Sequence, residues 1–114
     1  MDAGLQVHLE KFEQVPVVRV VGEVDLATAP ELQARLAELP ADGGTVIIDL
    51  SEVTFLDSTG LSVLVAGWKR LSEGGDKASF RLVVNRPAIH RVLEVTGLTH
   101  VFDVFATLEE AIKG

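Results

Sequence analysis

The order in which hydrophobic periods succeed one another predicts an α/β fold: an N-terminal β-hairpin followed by alternating β/α units, with a mixed central sheet covered by helices. An alternating apolar run and a β-branched run, both of strand character, lie only a few residues apart near the start of the chain. After "GEVD" the apolar period changes from two to three or four, and the two periods then alternate. With 114 residues, 47% apolar and 24% charged, the chain has the size and balance of one globular domain, residues 1–114.

The elements follow in order. Leu5, Val7 and Leu9 alternate with Gln6, His8 and Glu10, the period of a half-buried strand over 5–10. "VPVVRVVGEV" is its hairpin partner, with Pro16 confining the start of that strand to an edge or a bulge. Thr28 stands three residues before Glu31 with Pro30 between them, which predicts a capping box at the start of a helix. Leu32, Leu36 and Leu39 share its apolar face, and "PADGG" stops it. "TVIIDL" is apolar almost throughout, as a central strand covered on both sides requires, and a loop over 54–60 is expected after it.

Leu61, Leu64, Val65, Trp68 and Leu71 then recur at helical spacing up to "SEGGDK". "SFRLVV" is a strand, "NRP" a turn, and Ile89, Val92 and Leu93 mark a third helix ended by Gly97. "VFDVF" is a last short strand. Thr107 and Glu110 repeat the capping-box spacing before a final helix through Leu108, Ala111 and Ile112. The order is therefore β-β-α-β-α-β-α-β-α. In such sheets function gathers where strands end and helices begin, which groups Glu23, Asp25 and residues 54–60.

Charge and composition narrow the partners. A net charge of −7 argues against a phosphate backbone or an anionic membrane, since both need clustered Lys and Arg. Cysteine is absent, so disulfides, thiolate metal sites and cysteine nucleophiles are excluded. "MDAGLQVHLE" lacks the basic and apolar segments of a signal peptide, and no apolar run approaches the ~20 residues of a spanning helix. The expectation is a cytoplasmic protein that neither binds nucleic acid nor inserts into a membrane.

The chemistry concentrates in "VTFLDSTGLSVL", residues 53–64, where Asp57, Ser58 and Thr59 precede a helix. One reading is capping alone, for which Asp57 or Ser58 would serve equally. A cap needs one acceptor, however, and three stand here in succession before Gly60. The other reading makes Ser58 a phosphate acceptor at a helix N-terminus, with Gly60 removing bulk beside it. Thr59 is the alternative acceptor, unless its hydroxyl caps the helix. A phosphoserine carries about −1.5 to −2 charges near pH 7, enough to change an acidic surface that already holds Asp57 and Asp25. If Leu61, Leu64, Val65 and Trp68 face the sheet, Ser62, Val63 and Ala66 point elsewhere. They then form either a small-residue docking patch or a second buried helix face.

The segments "GEVDLATAPEL" and "VIIDLSEVTFLDSTGL", in this βα order, are similar to the STAS domain family, and specifically to bacterial anti-sigma factor antagonists. The similarity covers essentially the whole chain. It implies a partner-switching module without enzymatic activity or cofactor. The unphosphorylated antagonist binds an anti-sigma factor that is also an ATP-dependent serine kinase, releasing the sigma factor; phosphorylation breaks the contact and a serine phosphatase restores it. The family's acceptor falls on Ser58, the acidic residue before it on Asp57, and Asp25 lies in the "GEVD" segment near the contact surface, with Glu23 beside it. The family also includes STAS modules serving stress-sensing complexes or lipid transporters.

Other chemistries fit less well. A phosphoaspartate receiver would use Asp49 with Asp25 and Glu23 around Mg²⁺, but receivers begin with a strand and a helix and carry a late lysine, and none lies between Lys77 and Lys113. A serine hydrolase would need His90 or His100 as base, yet no G-x-S-x-G elbow is present. "DSTG" lacks the direct D-[ST]-G adjacency of aspartic proteases. The three histidines are too scattered for a metal site, and "SEGGDKASF" lacks phosphate-loop spacing. Trp68 continues the helical stripe and is expected in the core.

Overall fold

The computed structural model describes residues 4–75 and 77–114. The expectation of no signal peptide, where it rests on Met1 to Ala3, and the Asp76 of "SEGGDK" lie outside them. The elements are β1 (Leu5–Phe12), β2 (Val15–Val24), α1 (Ala29–Ala37), β3 (Thr45–Leu56), α2 (Ser58–Ser72), β4 (Ser79–Val83), α3 (Pro87–Val95), β5 (Asp103–Phe105) and α4 (Leu108–Lys113). This is the predicted order, with one 3-10 turn, Leu98–His100, added before β5.

The strands form one sheet in the order β1-β2-β3-β4-β5. β1 and β2 are antiparallel and every later pair is parallel. The hairpin closes through Glu13 and Gln14, both at positive φ (53° and 74°), so the turn twists with its strands. Pro16 pairs with Lys11 of β1, and β2 meets β3 only from Val17 onward. Its missing N–H thus falls where β2 overhangs its other neighbour, as the sequence requires.

Because strand order follows chain order and parallel crossovers are right-handed, α1, α2 and α3 lie on the same face of the sheet. The burial pattern agrees. Val18, Val20, Val46, Ile48 and Leu82 face these helices in one cluster with Leu32, Leu36, Leu64 and Leu93, while Val17, Ile47 and Val83 face Ala111 of α4 on the other side. Each fully buried Val or Leu contributes about 1.5–3 kcal/mol. Trp68 packs against this core as expected, edge-on to Phe102 at 6.5 Å. Arg70 of α2 donates to the carbonyls of Leu36 (2.8 Å) and Leu39 (2.6 Å), closing the C-terminal end of α1.

The largest departure from expectation is β3. It runs twelve residues to Leu56, so no loop exists at 54–56 and a single residue, Asp57, separates strand from helix. Against β2 the register shifts twice, between Arg19/Val21 and between Gly22/Glu23, each shift adding one residue to β3. Burial then recurs at Leu50, Val53 and Leu56, a spacing of three that hides the strand from a period-two reading. β4 meets β3 only as far as Asp49, so the last half of β3 projects past its neighbour and carries the start of α2 with it.

Candidate functional site

The projecting ends of β2 and β3 build the site. Glu23 pairs with Phe55 and Val24 with Leu56, and the N–H of Asp57 donates to the carbonyl of Val24 at 3.2 Å. The segments 23–28 and 54–60 are thereby adjacent, bringing Glu23, Asp25, Asp57, Ser58 and Thr59 to one end of the sheet. Gly22, at φ 111°, makes room for this end: a Cβ there would lie 1.9 Å from the carbonyl oxygen of Gly4, which accepts from the N–H of Glu23 at 2.7 Å.

The cap of α2 is Asp57. Its Oδ1 accepts from the N–H groups of Thr59 (2.9 Å) and Gly60 (3.1 Å). Ser58 is therefore the first residue inside the helix. Its side chain is exposed and its hydroxyl has no hydrogen-bond partner among the described residues, while its carbonyl accepts from the Ser62 hydroxyl at 3.0 Å. The Thr59 hydroxyl does not cap the helix either; only its N–H enters the cap.

The start of α1 differs from its expected capping box. The Thr28 side chain makes no cap hydrogen bond to the helix. Asp25 Oδ1 instead accepts from the N–H groups of Ala27 and Thr28, both at 3.0 Å, and the Thr28 hydroxyl donates to the Glu23 carbonyl at 2.8 Å while accepting from the Asp25 N–H at 2.9 Å. The turn holds itself closed, and its acid is consumed by it. At α4, by contrast, the Thr107 side chain accepts from the Glu110 N–H as the spacing predicts.

Gly60 and Val63, both expected at the partner-binding surface, are buried, and for Val63 the alternative of a second buried helix face holds. Val63 is 7% exposed and packs in the main core, because α1 lies beside α2 and makes its second face an interior one. Gly60 is also buried: a Cβ there would sit 2.6 Å from Leu56 Cδ1 and 2.7 Å from Val24 Cγ1. Its missing side chain accommodates the converging strand ends rather than a ligand. Ser62 and Ala66 are exposed, one and two turns beyond Ser58. They border a cavity of about 440 Å³ shared with Leu61, Val65, Lys69 and Leu98.

Two large apolar residues that sequence reasoning passed over stand beside the acids. Leu26, 76% exposed, tops the Asp25–Thr28 turn, and Phe55, 49% exposed, is the last outward residue of β3. The receiver arrangement does not form. Asp49 is buried, its Oδ1 accepts from the N–H of Ser51 at 3.0 Å, and it lies seven residues back along β3, about 20 Å from the strand end where Asp25 sits. His90 approaches Glu94 at 3.7 Å, and no histidine hydrogen-bonds to Ser58 among the described residues.

The sequence matches the STAS domain over residues 6–111. It is 37% identical over 112 residues to the anti-sigma-F factor antagonist RsfB of Mycobacterium tuberculosis, covering 97% of this chain and 89% of that one. It is 29% identical to the anti-sigma-B factor antagonist of Bacillus subtilis, over 96% of this chain and 99% of the relative. The crystal structure of an anti-sigma factor antagonist from Mycobacterium paratuberculosis superposes with a TM-score of 0.87 at 36% identity, covering 96% of this chain and 92% of that one. With an unbroken match from β1 into α4, the chain belongs to the STAS domain family.

Proposed function

We propose that this protein is an anti-sigma factor antagonist switched by phosphorylation of Ser58. In its unmodified form it binds an anti-sigma factor with serine kinase activity and so releases a sigma factor; a serine phosphatase resets it. It acts in the cytoplasm as a binding module without catalysis or cofactor. The observation that carries this reading is the Ser58 hydroxyl itself, exposed at the first turn of a fifteen-residue helix and excused from capping by Asp57. The relatives named as anti-sigma factor antagonists support it.

The docking surface consists of Glu23, Asp25, Asp57, Ser58, Thr59, Ser62 and Ala66, with Leu26 and Phe55 as its apolar anchors. Exposed apolar side chains ringed by acids suit a partner that brings an apolar centre and a basic rim. A dianion on Ser58 gains from the helix dipole and is repelled by Asp57, so the free fold tolerates it. Under a docked partner it has to be desolvated without a cation made for it, and the contact fails.

Phosphosite mapping by mass spectrometry on protein from its own host, with a hydroxylamine-treated aliquot, tests the switch. The expected result is hydroxylamine-stable phosphate on Ser58 in a fraction that varies with growth state. In calorimetric titration against the anti-sigma factor, Ser58→Glu is expected to bind about 100-fold more weakly than wild type, or about 2.7 kcal/mol. Equal affinities would remove the switch and leave an unswitched STAS scaffold in a stress-sensing complex or a lipid transporter. Label on Asp49 or Asp57 lost to hydroxylamine would indicate receiver-like chemistry.

A further inference from the structure

We infer that β1 is a self-association edge, on which a second copy of this chain adds its own β1 antiparallel to make one continuous sheet. The inference is independent of Ser58 and of its partner. β1 is the outermost strand on its side, eight residues long, with no proline and no break in register from Leu5 to Phe12. The opposite edge, β5, has only three residues. Long unbroken edges are templates for further pairing unless something blunts them.

The hydrogen-bond pattern tells which groups are free. The Gly4 carbonyl points at β2, since it accepts from the Glu23 N–H, and the two-residue turn requires Phe12 to face β2 as well. By alternation Gln6, His8 and Glu10 are committed to β2. The N–H and C=O groups of Leu5, Val7, Leu9 and Lys11 point outward along the open edge.

This parity allows only registers that set odd residues opposite odd ones, and charge chooses among the symmetric ones. Centring the axis on Glu10 would oppose Glu10 to its own copy. Centring it on His8 would oppose His8 to its own copy, and centring it on Val7 would pair Gln6 with His8, join no opposite charges and leave Phe12 without a partner. Centring it on Leu9 sets His8 opposite Glu10 of the second copy on both sides of the axis, Leu9 against Leu9, Val7 against Lys11, and Phe12 against Gln6, and it alone joins opposite charges while covering both Leu9 and Phe12. Leu9 (39% exposed) and Phe12 (41%) are both large apolar residues on the surface of the monomer, and this pairing covers them. Glu10 already receives Arg19 at 3.2 Å, which in turn reaches Glu52 at 3.1 Å, so His8 of the second copy joins an existing charge network. The strands run oppositely across the axis, so the two Ser58 ends point away from each other and both stay open.

The test is sedimentation velocity on the full chain across roughly 10 μM to 1 mM, the range of a weak edge-to-edge contact. Wild type is expected to shift from 12.2 kDa toward twice that mass. Leu9→Pro removes an N–H that faces away from β2, so it is expected to leave the thermal midpoint nearly unchanged and weaken association by about tenfold or more. His8→Glu, a surface change, should weaken it through like charges even if the proline variant folds poorly. The chain has no cysteine, which makes cross-linking clean. Leu9→Cys is expected to oxidise to a covalent dimer across a Cα separation of about 5.5 Å, and His8→Cys, about 8 Å from its copy, is not. A wild type that stays monomeric throughout the range, a His8→Glu variant that associates like wild type, or equal cross-linking at both positions would each overturn the inference.

Discussion

The two helices that begin at the projecting ends of β2 and β3 start with the same ingredients and use them in opposite ways. Before α1, Asp25 and Thr28 close a turn in which the carboxylate accepts two N–H groups and the hydroxyl both donates and accepts. Before α2, Asp57 accepts two N–H groups by itself and the next hydroxyl, Ser58, is left over. One hydroxyl is part of the structure; the other is chemically idle and accessible. A carboxylate cap placed directly before a serine leaves that serine's hydroxyl without a structural task.

The largest effect expected at this end comes from the position that lets α2 start where it does. Gly60→Val puts atoms where Val24 and Leu56 already converge, with even its Cβ within 2.6–2.7 Å of both. Overpacking of a junction that both strand ends support is expected to cost about 3 kcal/mol, read as a lower denaturant midpoint at unchanged slope. Next comes the cap. Asp57→Ala strands the N–H groups of Thr59 and Gly60 and is expected to cost about 1–2 kcal/mol by the same measurement. An unchanged midpoint would mean that Ser58 takes over the cap, and the distinction between the two helix starts would collapse.

Much of this arrangement was legible in the residues. β2 occupies the span "VPVVRVVGEV", and the alternation of periods matches the observed order of elements. The full length of β3 is hidden in the sequence because two extra residues against β2 turn its alternation into a spacing of three, a signal that belongs to no regular strand. The identities at the site were visible but the division of labour was not, since Asp, Ser and Thr have nearly equal preference for the cap and only geometry decides which oxygen meets which N–H. The exposure of Leu26 and Phe55 has no signal in the sequence, since an apolar residue reads as core by default. The burial of Val63 was within reach: sequential right-handed crossovers place α1 beside α2, which leaves α2 with two interior faces.

The comparison sharpens most with matched hydroxyl deletions. Thr28→Val keeps the side-chain shape but removes the donor to the Glu23 carbonyl and the acceptor for the Asp25 N–H, both at 3 Å or less. With the partly buried Asp25 N–H left unsatisfied and the exposed Glu23 carbonyl handed to water, a loss of about 1–2 kcal/mol is expected. Its thermal midpoint should fall by several degrees.

Ser58→Ala is expected to change stability by no more than about 0.5 kcal/mol in either direction, the smallest effect of the series. The hydroxyl gives nothing to the cap, accepts nothing from a neighbour among the described residues, and stands in solvent. Alanine is also a better helix former than serine, which offsets whatever weak solvent ordering the hydroxyl provides. The variant should therefore unfold with wild type in paired chemical denaturations, bind the anti-sigma factor with wild-type affinity, and resist phosphorylation completely. A loss as large as that of Thr28→Val would show that the Ser58 hydroxyl supports the helix after all, and a fold that depends on it could not release it to a kinase.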